Sequence, residues 1–292
     1  MKNLLQVLFW GSLVIASACR KSDIGNDALK DKQKLYSFKL SLTGSEVNSS
    51  SIDRSSSLPD FSYLYVRIYN TVTGKLTLST DLAKLPGADL PTLENFLPKG
   101  EYTATVIASR SSLQLSGNSI TWNNAGFSMG DSSIDDTFYK KLSFSIIDQP
   151  VEKSLSLDRI IAGLSVVIED AIPSDVKRIE VYISADKADY RFSDGNQTGS
   201  VSRFASFPLS PDDVGSTNKT LTSIAFGINT PTNVRLKAFD NSNAVLFEAT
   251  VPDVTFRADK TTKVSGKLFT NKTSFKVTLN SVWDTPLPTV RF

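Results

Sequence analysis

Cys19 is the only cysteine in the 292-residue chain and the side chain best suited to covalent chemistry. It lies in the stretch LVIASACRKSD, after an apolar run from Leu4 to Ile15 and three small residues. The apolar run follows a short positive start and is too short to cross a hydrocarbon core of about 30 Å. Residues 1–18 are therefore predicted to be an export signal.

The position of Cys19 directly after three small residues resembles a bacterial lipobox, although Ala16 stands where leucine is commonest. The resemblance implies that the sulfur is acylated and that Cys19 becomes the first mature residue. An ordinary cleaved signal with an incidental cysteine is the alternative. A nucleophilic thiol is disfavoured, because the chain has no histidine to act as its partner. Residues 19–34 would then form a lipidated N-terminus and polar tether.

The absence of histidine also excludes several classes of enzyme and metalloprotein. Ser-His-Asp and Cys-His triads are impossible, as are zinc and haem held by histidine, and one thiolate cannot build a cysteine metal site. The sequence has no Gly-rich phosphate loop, and nothing marks one glycosidase pair among its 30 acidic residues. We therefore predict no catalytic residue, no metal site and no cofactor.

Charge gives no sign of a nucleic-acid partner. Cleavage of residues 1–18 removes Lys2 and no acid, so 32 basic residues become 31 against 30 acidic ones, a near-neutral balance. Two acidic clusters, Asp131/Asp135/Asp136 and Asp212-Asp213, offer the oxygen ligands that calcium prefers. Acidic loop tips are more often simply solvated, which is the interpretation favoured here.

Alternating strand patterns run through most of the mature sequence. In LYSFKLSLTG (35–44), Tyr36, Phe38, Leu40 and Leu42 fall on one face, which is the period of a half-buried strand. FSYLYVRIYNTVTGKLTLST (61–80) has the form of a hairpin, and similar runs continue to residue 283. No segment keeps a helical period over three turns. The pattern predicts an all-β protein.

The stretch IDQPVEKS (147–154) is the predicted domain boundary, because Pro150 interrupts two strand-like runs and charge surrounds it. It divides the mature chain into two tandem antiparallel β-sandwich domains, 35–150 and 151–292. Polar stretches at 44–60 and 116–136 are expected to be loops.

A lipobox-like cysteine, a polar tether and two β-sandwiches together resemble fimbrillin-type pilus proteins, in particular the FimB-like anchor and accessory subunits. The local likeness lies in YLYVRIYNTVTGKLTLST with LPKGEYTATVIAS, in SLSLDRIIAGLSVVIED with VKRIEVYIS, and in VRLKAFDNSNAVLFEATVPDV with TTKVSGKLF. The resemblance implies transthyretin-like sandwiches in a lipoprotein exposed on the outer membrane. It also implies fimbrial subunits as partners, joined by strand exchange, in which an extended segment of one subunit completes the sheet of its neighbour.

Strand exchange suggests a donor strand and a processing site. The last strand-like run places Phe275, Val277 and Leu279 on one face, as a donated strand requires; the alternative is that it closes its own domain. In the family, polymerising subunits are cut after an arginine near the N-terminus, and Arg54 in SSSIDRSSS is a candidate for this cut. A cut at Arg54 favours a tip or stalk subunit, whereas an intact Arg54 favours an anchor that keeps its lipid, which is the interpretation we favour.

A surface glycan-binding lipoprotein is the rival function. Trp122, Tyr139 and Tyr190 lie in or beside predicted loops, and flat rings on a β-sandwich often stack on sugars. Tyrosine and tryptophan are also ordinary core and rim residues, which is the simpler interpretation of these three.

Overall fold

The structure is a computed structural model that describes residues 34–43, 61–83, 92–116, 122, 125–128, 135–226, 229–270 and 274–280. Within these ranges the chain forms twenty β-strands and a 3-10 turn at Pro211–Asp213, and no described residue lies in an α-helix. The all-β prediction is confirmed. The described part of the chain contains no helix long and apolar enough to span a membrane.

The strands are, in chain order, β1 (Leu35–Thr43), β2 (Tyr63–Asn70), β3 (Leu76–Ala83), β4 (Thr92–Pro98), β5 (Gly100–Ser109), β6 (Gln114–Ser116), β7 (Gly126–Ser128), β8 (Thr137–Ile146), β9 (Val151–Ser156), β10 (Asp158–Arg159), β11 (Ala162–Ile168), β12 (Arg178–Asp186), β13 (Asp189–Arg191), β14 (Gln197–Thr198), β15 (Val201–Pro208), β16 (Lys219–Ala225), β17 (Thr232–Phe239), β18 (Val245–Val254), β19 (Thr261–Gly266) and β20 (Phe275–Asn280).

The strands form five sheets. A three-stranded sheet, β4-β1-β9, and a five-stranded sheet, β10-β8-β5-β2-β3, enclose an apolar cluster drawn from residues 36–157. Two four-stranded sheets, β16-β11-β19-β20 and β15-β12-β17-β18, enclose a second cluster drawn from residues 162–268. Sheets packed face to face over an apolar layer are the sandwich architecture that the sequence predicts. The fifth sheet, β14-β13-β7-β6, is small.

β1 shows how the sequence pattern produces these layers. Tyr36, Phe38, Leu40 and Leu42 are buried, and the side chains between them face outwards. Phe38 stacks on Phe144 of the facing sheet, with ring centroids 4.3 Å apart. The predicted period of two is confirmed in this strand.

The same arrangement of seven strands occurs twice along the chain. β1 lies between antiparallel β4 and parallel β9, and β11 lies between antiparallel β16 and parallel β19. The facing sheets correspond in the same way, because β8-β5-β2-β3 matches β18-β17-β12-β15 in chain order and in antiparallel pairing. We call β1–β5, β8 and β9 the first strand set, and β11, β12 and β15–β19 the second strand set.

Two features go beyond the prediction of antiparallel sandwiches. Each strand set contains one parallel pair, which sequence alternation does not reveal, because it is the same for either strand direction. β20 follows the second strand set, and no described strand of the first part of the chain corresponds to it.

The predicted domain boundary between residues 150 and 151 lies just before β9. β9 pairs with β1 and belongs to the first strand set, so strand pairing continues across this point. The chain divides into two compact units, Met1–Lys34 and Leu35–Phe292, and all the described strands lie in the second. The division into domains 35–150 and 151–292 stays a prediction.

A third apolar cluster combines side chains of the first strand set and of the small sheet with residues that adjoin the second strand set, such as Ile161 before β11 and Phe226 after β16. The ring centroid of Phe127 in β7 lies 5.3 Å from that of Tyr190 in β13, and β7 pairs with β13. Tyr139 in β8 donates a hydrogen bond of 3.0 Å to the carbonyl oxygen of Phe192. The small sheet therefore joins the segment before β8 to the segment after β12.

Arg159 adds an ionic link to this junction. Its guanidinium lies 2.7 Å from the carboxylate of Asp136, which precedes β8, and 2.6 Å from that of Asp259, which precedes β19. Burial acts to lower the pKa of Arg159, but the hydrogen bonds that it donates to both carboxylates, together with their negative charges, outweigh burial and raise the pKa. The guanidinium stays charged and ties segments of both strand sets to β10.

Candidate functional site: the edge strand β20

The predicted donor residues Phe275, Val277 and Leu279 lie in β20, which is antiparallel to β19 and forms the edge of its sheet. Val277 is opposite Val264, and Leu279 is opposite Thr262; both of these β19 residues are buried. The three donor side chains therefore share the core-facing side of the strand. Donation of the strand to another subunit stays a prediction.

β20 is packed less completely than its neighbour. Val277 and Leu279 are each 41% exposed although they point to the core side, whereas Val264 in β19 is fully buried. Of the three donor residues, Phe275 packs against the second apolar cluster. Removal of apolar surface from water is the main favourable contribution to packing. β20 is therefore held to its sheet mainly by its backbone pairing with β19 and by Phe275.

Gly266 allows the first residue of β20 to approach β19 closely. A Cβ at this position would lie 2.4 Å from the carbonyl oxygen of Ser274 and 2.7 Å from the ring of Phe275. The sequence analysis missed this residue. The available signal was a glycine inside the strand-like run TTKVSGKLF, since an isolated glycine in a strand often marks such an approach.

Asp170 fixes the segment between β19 and β20. Its buried carboxylate accepts hydrogen bonds from the backbone N–H groups of Leu268 at 3.0 Å, Phe269 at 2.7 Å and Thr270 at 2.8 Å. Burial acts to raise the pKa of Asp170, but these donors and the Thr270 hydroxyl outweigh it, and the pKa is lowered. The role of Asp170 was not predicted, because an acid two residues after a strand has the pattern of a solvated turn residue.

Two predicted sites near the N-terminus lie outside the described residues. These are the lipidation site Cys19 and the processing site Arg54. Both therefore stay predictions.

The three rings predicted to contact glycans belong to the third apolar cluster or pack against it. Tyr139 and Tyr190 are each 8% exposed, and their ring centroids are 4.9 Å apart. Trp122 is half-buried, and its ring centroid lies 5.2 Å from that of Tyr69. The pairing of β7 with β13 encloses both rings, which agrees with the simpler interpretation of Tyr139 and Tyr190 as core residues and leaves neither of them exposed to a glycan. Burial raises the pKa of Tyr190 to about 12.

An exposed aromatic pair that the sequence analysis missed lies on the outer face of the sheet β15-β12-β17-β18. Phe204 is 46% exposed and stacks on Tyr182, with ring centroids 5.5 Å apart. The guanidinium of Arg235 lies 5.0 Å from the Tyr182 ring centroid. The Tyr182 hydroxyl donates to the Glu180 carboxylate, and burial together with this carboxylate raises the pKa of Tyr182 to about 12. The sequence VSRFASFP (201–208) did offer a signal, since a strand with a period of two places Phe204 on the face opposite to Ala205.

Two of the acids considered for calcium, one in each cluster, form ion pairs with basic side chains. Asp136 pairs with Arg159, and Asp213 pairs with Lys219. Asp131 lies outside the described residues. These ion pairs give both carboxylates a structural role.

We expect Gly266→Ala to loosen the pairing of β19 with β20. The added methyl group overlaps the backbone of Ser274 and the ring of Phe275, so the expected cost is about 1–3 kcal/mol, typical of overpacking. Hydrogen exchange of the amides of residues 275–280 measures it and should be faster than in the wild type. Ser265→Ala, on the opposite face of β19, is the matched control. Equal protection of residues 275–280 in both variants would contradict this role of Gly266.

We expect the segment 268–270 to become less stable in acid because of Asp170. Its lowered pKa means that the carboxylate stabilises the folded chain above the ordinary aspartate pKa of about 4, and that this contribution is lost as pH falls through the lower folded-state value. Asp170→Asn should therefore destabilise the protein at pH 7, by about 1.5–3 kcal/mol for hydrogen bonds to a charged group. The difference from the wild type should shrink below about pH 4.

Denaturant unfolding from neutral to acid pH measures this difference. Asp175→Asn is the control, because Asp175 is exposed and lies in the same connection between β11 and β12. A stability difference for Asp170→Asn that does not change with pH would show that the carboxylate charge is not responsible.

No protein-family model matches the chain, and no curated protein matches it. Solved structures do match it. The fimbrial anchor protein Mfa2 from Porphyromonas gingivalis matches with a TM-score of 0.56 at 13% identity, over 85% of this chain and 98% of that one. A candidate adhesin from Bacteroides ovatus matches with a TM-score of 0.52 at 11% identity, over 88% and 96% of the two chains.

A candidate polysaccharide-binding protein from Bacteroides thetaiotaomicron also matches, with a TM-score of 0.55 at 9% identity, over 86% of this chain and 98% of that one. At these identities the likeness concerns the fold. The chain has the all-β fold that these three proteins share, and the predicted resemblance to fimbrillin-type subunits is confirmed at the level of the fold.

Proposed function

We propose that this protein is a cell-surface fimbrial subunit, held at the outer membrane by a lipid on Cys19 and joined to its neighbours by exchange of the edge strand β20. The observation that carries the proposal is the surplus position of β20. The first strand set encloses its apolar cluster with seven strands and no counterpart of β20 among the described residues. The second strand set has the same seven strands, so β20 can leave it without removing an element of that set.

The pairing of β20 with β19 is of a kind that another chain can reproduce. The two strands face each other at six positions, from Gly266 opposite Phe275 to Thr261 opposite Asn280. Backbone ladders do not depend on side-chain identity, so an extended segment with apolar residues at alternate positions can occupy the same register. Val277 and Leu279 are partly exposed in their own subunit and would be covered in the groove of a neighbouring subunit.

The edge strand β9 is the acceptor that this arrangement favours. β9 holds the place in the first strand set that β19 holds in the second, and no described strand lies beyond it. A strand donated by a neighbouring subunit and added there would reproduce the position of β20.

The position of β1 supports an anchor or accessory role. A cut after Arg54 would release β1 together with the lipid, since β1 ends at Thr43. β1 is the middle strand of its sheet, and four of its side chains belong to the first apolar cluster. An intact Arg54 keeps both this core and the attachment to the membrane. The fold likeness to the anchor protein Mfa2 supports the same choice.

Mass spectrometry of the mature N-terminus tests the attachment. We expect the mature chain to begin at Cys19 with acyl groups added, and Cys19→Ser to lose both the added mass and the membrane fraction. A mature chain that begins at Ser55 would instead identify a processed tip or stalk subunit. An unmodified Cys19 would contradict lipid anchoring.

We expect deletion of residues 274–292 to abolish co-purification of neighbouring fimbrial subunits while the rest of the chain stays folded. The paired change Val277→Asp with Leu279→Asp should act similarly, because charged side chains cannot enter an apolar groove without a large desolvation cost. Lys276→Asp with Thr278→Asp, on the opposite face of β20, is the matched control and should keep the partners. Unchanged capture by the deleted chain would contradict strand exchange and leave lipid anchoring untouched.

A further inference from the structure

Exposed apolar side chains gather at the end of the molecule where β1 begins. Leu35 is 55% exposed, Phe96 is 64% exposed and Ile147 is 59% exposed. Single apolar residues on a surface need no explanation, whereas a group of them marks an interaction site. We call Leu35, Phe96 and Ile147 the basal patch.

Strand register brings Leu35 and Phe96 together. Leu35 is opposite Pro98, and Phe96 is opposite Ser37, so Leu35 and Phe96 are diagonal neighbours of the β1–β4 pair. Both point away from the core, because the residues that alternate with them, such as Tyr36 and Leu97, are buried. Diagonal neighbours are about 7–8 Å apart, which side chains of this length bridge.

Ile147 reaches the same end through its neighbour Asp148. The Asp148 carboxylate accepts a hydrogen bond of 3.0 Å from the Tyr36 hydroxyl and lies 3.4 Å from the Lys99 ammonium group. Tyr36 follows Leu35 along the chain, so the turn that carries Ile147 lies beside the start of β1.

The outer face of the β1–β4 pair changes from apolar to charged with distance from the start of β1. Beyond Leu35 and Phe96 comes the ion pair of Lys39 with Glu94 at 3.6 Å, and Ser41 then faces Thr92. Side chains on one face of a strand recur about every 7 Å, so the apolar end is about 7 Å deep. Groups that lie in a membrane interface are buried by about 5–10 Å, which fits this depth.

The predicted tether links the lipid on Cys19 directly to the basal patch, because β1 begins at Leu35. Fifteen residues separate Cys19 from Leu35, so the two are at most about 50 Å apart even with the tether fully extended. A group held within this radius of a bilayer has an effective concentration of roughly millimolar order. Such a concentration makes a small apolar patch sufficient for contact, even if it would not bind a membrane alone.

We propose that the basal patch rests on the bilayer to which Cys19 is attached, with Phe96 at the level of the lipid headgroups. The inference rests on the proposed lipidation of Cys19. Aromatic and aliphatic side chains next to a polar face favour this interfacial position. The contact would give the first strand set a fixed orientation on the membrane, beyond the simple tethering that a lipid provides.

A fluorophore placed in the patch tests the proposal. Acylation uses the only native thiol, so Phe96→Cys gives the lipoprotein a single free thiol for an NBD label. We expect doxyl-labelled lipid to quench this label in phosphatidylethanolamine–phosphatidylglycerol vesicles about threefold or more relative to a label at Thr43→Cys, as interfacial burial requires. Thr43 is the control because it is exposed and lies at the opposite end of β1 from Leu35. Ile147→Cys should behave like Phe96→Cys.

The outcomes separate this inference from the function it rests on. Equal quenching at positions 96 and 43 in a chain whose Cys19 is acylated would overturn the membrane contact alone. Protection of position 96 by added fimbrial subunits, without quenching by lipid, would overturn it in favour of a protein contact. Labelling of Cys19 in the wild-type chain would overturn the lipid anchor and the membrane contact together.

Discussion

The parallel pairing of the first strand of each set with its last is the interaction on which the rest of the structure depends. β1 with β9, and β11 with β19, bring the end of each set back beside its beginning. The first strand thereby becomes the middle of its sheet and packs its apolar side chains against the facing sheet. The last strand becomes an edge, and edge strands expose backbone groups that a further strand can pair with. β20 takes this place beside β19, so the position of the candidate donor strand follows from the strand arrangement.

The junction between the two strand sets is held together by side-chain contacts, whereas each set is held together by strand pairing. It contains few long strand pairs and relies on aromatic rings and on Arg159, which binds two carboxylates from distant parts of the chain. Removing one partner of such a buried ion pair leaves an uncompensated charge in the interior. Any arrangement that separates Arg159 from Asp136 and Asp259 is therefore destabilised. The same cluster encloses Tyr139 and Tyr190, whose rings pack in the interior of the fold.

Sequence patterns were sufficient to predict where strands lie in the chain, but they were insufficient to predict which strands pair with each other. The alternation of Tyr36, Phe38, Leu40 and Leu42 placed β1 and its buried face correctly, because burial on one side of a strand leaves a period of two. Strand direction and neighbour choice leave no such period, so the parallel pairs and the surplus position of β20 appeared only in the structure. For Tyr139 and Tyr190 the sequence left a rim and a core position open, because an aromatic residue has the same pattern in both. At the candidate site, Phe275, Val277 and Leu279 were identified from alternation, whereas Asp170 acts through backbone donors about a hundred residues away.

The central position of β1 also has a mechanical consequence. The chain enters β1 at Leu35, so tension from the N-terminal side acts along the axis of a strand that is bonded on both edges, to β4 and to β9. Ladder bonds run across that axis. They therefore bear the load together, in shear, whereas a strand peeled from its end breaks its bonds one at a time. A domain tethered through its middle strand withstands stretching that would unzip one tethered through an edge.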